Sequence, residues 1–132
     1  MTEVFADTFY WLALLNLDDT FHHKVTAANI GGQLIVSWAI QLEVLDAFSS
    51  EPFRPLASSF WDACQEDADV TVVPLDDTLL AKAMELFNKR PDKNWSFTDC
   101  ISFSIMGERG ITDALTADHH FVQAGFRAVF AA

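Results

Sequence analysis

The chain has 132 residues, is 51% hydrophobic and 20% charged, and carries a formal net charge of −11. That length suits a single domain with one core, residues 1–132, and the apolar content excludes a disordered acidic tail. So negative a total excludes general long-range attraction to a polyanion, and no apolar stretch has the length of a membrane span, so no membrane partner is expected.

In chain order, Val4 to Ala6 reads as a short buried strand and Thr8 to Leu15 as a helix apolar on most faces. Asp18-Asp19-Thr20 predicts a turn and an N-cap for a second helix through Ala28, which Ile30-Gly31-Gly32 ends. Leu34-Ile35-Val36 is an apolar run of strand length. Ser37 caps a helix to about Phe48, and Ser49, Ser50 and Pro52 stop it. Arg54 to about Gln65 reads as helix, and Val70 to Val73 as a β-branched strand. Asp76 or Asp77 caps a helix to about Lys89, whose Leu79, Leu80, Ala83, Leu86 and Phe87 keep helical spacing. After a loop over Pro91 to Trp95, Thr98 opens a helix that closes near Arg109, with Gly110 as its stop. Ala114 to Thr116 predicts a strand, His120 to Gln123 a short helix and Phe126 to Phe130 a last strand.

Uniformly apolar strands alternating with helices imply a parallel sheet covered on both faces, a three-layer α/β domain. Ligands of such sheets bind beyond the carboxyl ends of the strands. Asp7 and Asp118 fall at such ends, Asp99 in the first turn of a helix, and Glu43 on the apolar stripe of Ile40, Val44 and Ala47. Each acid has a structural reading. Asp7 and Asp118 suit helix caps and Asp99 suits the positive end of a helix dipole. Glu43 is either buried beside a cation or set at the edge of its stripe. Brought together, four carboxylates would repel by roughly 1–4 kcal/mol per pair at about 4 Å. A cluster of that kind requires protons or cations, and oxygen ligands favour Mg²⁺ or Mn²⁺ over Zn²⁺. Such an ion activates water and neutralises a phosphoryl group, which suits phosphodiester hydrolysis.

These residues stand in an order that resembles the PIN domain, and within it the VapC-like toxins. The resemblance begins at Val4-Phe5-Ala6-Asp7-Thr8 and runs through Leu42-Glu43-Val44-Leu45. Ser96-Phe97-Thr98-Asp99-Cys100 continues it, and Leu115-Thr116-Ala117-Asp118-His119-His120-Phe121 with Ala124-Gly125-Phe126 completes it. The resemblance implies a three-layer α/β/α fold with a central, mainly parallel sheet. It also implies an Mg²⁺- or Mn²⁺-dependent endoribonuclease, the toxin of a type II toxin–antitoxin pair. Asp7, Glu43, Asp99 and Asp118 would be the acidic set that holds the metal, and Ser37 and Thr116 would support it. The partners implied are RNA, a small antitoxin protein and a second copy of the chain. A silent interaction module of the same fold, or a PIN nuclease of RNA processing, are the alternatives.

Lys89, Arg90 and Lys93 fall within five residues, among only eight basic side chains. They read either as a grip on phosphate or as cations suited to a helix C-terminus. His22-His23 and His119-His120 are sequence neighbours, which do not share a helical face, so neither pair reads as a metal motif. Trp95, in the loop before Asp99, is a candidate stacking platform for a base. Cys64 and Cys100 read as buried free thiols. No Gly-rich phosphate loop and no nucleophile elbow is present. Met1 to Val4 lacks a basic stretch leading into an apolar one, so the cytoplasm is the expected compartment.

Overall fold

A computed structural model describes residues 2–132, and Met1 lies outside the described residues. The elements run β1 (Glu3–Ala6), α1 (Thr8–Leu15), α2 (His22–Ala27), β2 (Gln33–Ser37), α3 (Trp38–Ala47) and α4 (Arg54–Glu66). They continue with β3 (Val70–Val73), α5 (Asp77–Lys89), α6 (Phe97–Arg109), β4 (Asp113–Leu115), α7 (His119–Gln123) and β5 (Arg127–Ala128). All five strands are parallel, in the order β3-β2-β1-β4-β5. The last strand is shorter than its apolar run suggests: Arg127 and Ala128 pair with Asp113 and Ala114, and the chain then turns at Val129 and Phe130, whose amides still donate to the Ala114 and Thr116 carbonyls at 2.9 and 3.0 Å.

The strand order carries the functional argument. From β1 the chain steps outward through β2 to β3, then returns across the sheet to β4 and β5 on the other side of β1. Right-handed crossovers therefore place α1–α4 on one face and α5–α7 on the other. Helix packing agrees: α1 meets α2 and α3, α3 meets α4, and α6 packs on α5 and α7. The direction of travel switches between β1 and β4, and the crevice outside their carboxyl ends is where such sheets take ligands.

The sheet is stabilised by side chains sealed on both faces. Phe5, Ile35, Ile40, Met106, Leu115 and Phe121 are at or near complete burial, each stabilising by about 1.5–3 kcal/mol relative to exposure. Helix starts follow the polar residues before them. Ser37 accepts from the Ile40 amide at 3.1 Å and Asp76 from the Leu79 amide at 2.8 Å. Ser96 and Asp99 form a reciprocal capping box at the head of α6. The start of α2 departs from the sequence expectation. Asp19 spends its carboxylate on the Phe21 amide at 2.8 Å, so the helix begins after Phe21 without a side-chain cap.

Two glycines hold positions that other residues would strain. Gly110 ends α6 at φ +70°. Gly32 has φ +103°, and a Cβ there would stand 2.2 Å from the Thr2 carbonyl oxygen. Cys64 and Cys100 are buried free thiols. No helix among the described residues is long and apolar enough to cross a membrane.

Candidate functional site

The switch in strand order gathers the sequence-predicted acids along one edge. Asp7 follows β1 and precedes α1, so it is an N-cap by position, with φ −75° and ψ 165°. Its carboxylate makes no cap hydrogen bond. Instead, Asp7 Oδ2 accepts from Thr116 Oγ1 at 2.8 Å, across the β1–β4 crevice. Burial pushes the Asp7 carboxyl from 3.8 up to about 7. Hydrogen bonds from the Thr116 hydroxyl and the Thr8 backbone amide oppose that rise, and the negative fields of Asp99 and Glu43 add to it. A desolvated acid facing two like charges favours a proton or a metal ion in its place.

Thr116 is fully buried and serves two acids at once. It donates to Asp7, and its oxygen accepts from the Asp118 amide at 3.1 Å. Asp118 caps α7 by accepting from the His120 amide at 2.9 Å, so the capping role read from the sequence is realised. The His120 ring then reaches back, with Nδ1 3.1 Å from Asp99 Oδ2 and 3.5 Å from Asp118 Oδ1. Asp99 Oδ2 also accepts from the Ser96 amide at 3.1 Å. On the far side of Asp7, Thr8 Oγ1 donates to Glu43 Oε1 from α3. Glu43 is exposed, at the edge of the α3 apolar stripe rather than inside it. Ser37 is buried and caps α3, the helix that carries Glu43.

The result is an open arc, Glu43–Thr8–Asp7–Thr116–Asp118–His120–Asp99, in which hydroxyls and an imidazole space the four acids apart. Among the described residues, none of the four pairs with Lys or Arg. The one trio there whose ligand atoms all lie within 4.8 Å of one another is Asp118, His119 and His120. The oxygen-rich donors suit a hard divalent ion, and the half-buried, like-charged setting of Asp7 fits one.

Two residues of the arc escaped sequence reasoning, Thr8 and His120. Thr8 adjoins Asp7, which is its only signal. Divergence of helical neighbours argues against the His119–His120 pair, yet at the head of α7 the two ring centroids lie 4.5 Å apart.

The basic segment divides. Arg90 is bound to Asp92 by two hydrogen bonds of 3.0 Å and lies 5.3 Å from the Trp95 ring centre. Lys89 and Lys93 form no ion pair among the described residues. Lys93 and Arg90 line a cleft of about 260 Å³ that reaches Cys100, next to Asp99. Trp95 is no stacking platform. It is buried, packs edge-on to Phe103 at 5.0 Å, and donates from Nε1 to Gln123 Oε1 at 3.0 Å.

The sequence model of the PIN domain matches residues 4–127. VapC20 of Mycobacterium tuberculosis, a sarcin–ricin loop cleaving toxin, has a similar structure, with TM-score 0.87 and 26% identity over 96% of this chain and 98% of that one. FitAcB of Neisseria gonorrhoeae shares the fold at TM-score 0.67 and 15% identity, covering 96% of both chains. VapBC2 of Rickettsia felis, solved bound to a DNA fragment from its promoter, does so at TM-score 0.70 and 11% identity over 96% of this chain and 97% of that one. No curated protein matches the chain by sequence.

Proposed function

Since the chain belongs to the PIN domain family, we propose that it is a divalent-metal-dependent endoribonuclease and the toxin of a type II toxin–antitoxin pair. The observation that carries this reading is four carboxylates around the β1–β4 switch point with no Lys or Arg among the described residues to neutralise them. Likeness to a sarcin–ricin loop cleaving toxin supports RNA as the substrate.

Asp7, Glu43 and Asp99 would hold Mg²⁺ or Mn²⁺, with Asp118 completing the set. Bound there, the ion would supply positive charge against the phosphoryl group and make water a better nucleophile. The protein's own groups do the positioning. Thr116 fixes Asp7, Thr8 fixes Glu43, and His120 with the Ser96 amide fixes Asp99. Lys89 and Lys93 offer the unpaired positive charge that draws an RNA backbone toward Asp99 and past an otherwise acidic surface. Arg90, committed to Asp92, shapes the cleft instead.

Two exposed apolar surfaces suit the protein partners. A hollow of about 720 Å³ between α3 and α4, lined by Leu42, Leu45, Phe48, Pro55 and Trp61, suits an apolar helix face of an antitoxin. Leu80, Met84 and Phe87 form an exposed stripe on α5 that suits a second copy of the chain.

The test is incubation of the protein with RNA in Mn²⁺ or Mg²⁺, then in EDTA. Internal cleavage that EDTA and Asp99→Asn both abolish is the predicted result. Cleavage that survives either treatment overturns the metal mechanism, and intact RNA throughout favours a silent module.

A further inference from the structure

We infer that Asp118, His119 and His120 form a second metal site, one of mixed nitrogen and oxygen ligands that takes Zn²⁺ or a similar transition ion and shuts down the carboxylate edge. Both imidazoles converge on one oxygen. Asp118 Oδ1 lies 3.6 Å from His119 Nδ1 and 3.5 Å from His120 Nδ1. Ligand atoms on a tetrahedral ion with bonds of about 2.1 Å stand about 3.4 Å apart, so both spacings fit one ion with little movement. The ligand atoms of the trio all lie within 4.8 Å of one another. The His119 side chain is 74% exposed, which leaves a path of entry and room for water as a fourth ligand.

The other histidine pair shows what is special here. His22 and His23 have ring centres 5.8 Å apart, and His22 Nδ1 lies 2.8 Å from the Ala13 carbonyl oxygen. That pair belongs to no cluster of metal-capable groups among the described residues.

Ligand chemistry separates this site from the oxygen set. Imidazole nitrogen suits Zn²⁺, Co²⁺, Ni²⁺ and Cu²⁺, whereas Mg²⁺ prefers oxygen. The two sites share residues and therefore compete. Asp118 belongs to both. His120 Nδ1 lies 3.1 Å from Asp99 Oδ2, and a nitrogen that donates its N–H to Asp99 has no lone pair for a metal. An ion bound here takes Asp118 out of the oxygen set and releases Asp99 from His120. The inhibition rests on the nuclease reading, and the binding does not.

The experiment uses the full, tag-free chain and Co²⁺ as a spectroscopic stand-in for Zn²⁺. The wild type is expected to develop the visible absorption of four-coordinate Co²⁺, saturating near one equivalent. His119→Ala is expected to lose the band, and His22→Ala to keep it. In parallel, Zn²⁺ is expected to inhibit Mg²⁺-supported RNA cleavage by the wild type. His119→Ala, at unchanged basal cleavage, is expected to need at least about tenfold more Zn²⁺ for the same inhibition. Absence of the band, or its persistence in His119→Ala, overturns the site. A band without any RNA cleavage upholds the site and overturns the nuclease reading, whereas cleavage without a band overturns the site alone.

Discussion

The two ends of the parallel sheet treat acidic side chains in opposite ways. At the amino ends of the strands, Arg109 grips Glu3 with hydrogen bonds of 3.0 and 2.8 Å, and Arg127 holds Asp113 at 3.0 Å. At the carboxyl ends, the partners of Asp7, Glu43, Asp99 and Asp118 among the described residues are hydroxyls, backbone amides and the two histidines of α7. The proton affinities follow. The Arg109 guanidinium holds the Glu3 carboxyl below its usual range, while burial pushes Asp7 up to about 7. An acid with its own arginine is complete as it stands. Among the described residues, Asp7 has no cation beside it and instead faces the negative fields of Asp99 and Glu43.

The largest expected contrast between the ends is catalytic. Asp99→Asn keeps the shape of the capping box but removes the charge. Loss of several kcal/mol of metal-borne stabilisation should lower RNA cleavage by about a thousandfold or more. Arg109→Ala, at the opposite end, should leave the cleavage rate unchanged in the same assay.

Stability against pH is the next contrast. The folded pKa of Asp7, about 7, lies above the ordinary value of 3.8, so the native state retains a proton that the unfolded chain has lost. The Asp7 contribution to stability is thus fully present below pH 3.8 and falls as pH rises toward 7. The rise to about 7 corresponds to at most about 4 kcal/mol. Urea unfolding of the metal-free protein between pH 4 and 8 should show this decline, and Asp7→Asn should flatten it. Glu3 acts with the opposite sign, its contribution being present above 4.5 and lost on acidification. Saturating Mn²⁺ at pH 8 should restore what the Asp7 charge removes.

A smaller effect is expected from Thr116→Val, which deletes the hydroxyl between Asp7 and the Asp118 amide. Loss of such a support should weaken Mn²⁺ binding about 10–100-fold, measured by calorimetry. The smallest is the stability change in Arg109→Ala, about 0–1 kcal/mol by urea unfolding, because the Glu3–Arg109 pair is partly solvated.

The sequence carried the regular elements because their signals are local. The β-branched run at Val70–Val73, the helix of Thr8–Leu15 and the Gly110 stop were each visible in a few adjacent residues. The four acids were legible as a set because they lie at joints between elements. What lay beyond reach depends on three-dimensional choices. Apolar spacing alone does not place Glu43 at the edge of its stripe. Nothing adjacent to Trp95 announces that Phe103 and Gln123 will enclose it. The turn of the His120 ring toward Asp99 depends on α6 and α7 meeting, which no local pattern encodes.

Metal binding at the carboxyl edge is tested by calorimetric titration of Mn²⁺ into the wild type and into Asp99→Asn at pH 8. Saturable binding to the wild type that weakens by at least about tenfold in the variant is expected. Equal binding by both proteins, or none by either at millimolar Mn²⁺, would contradict it.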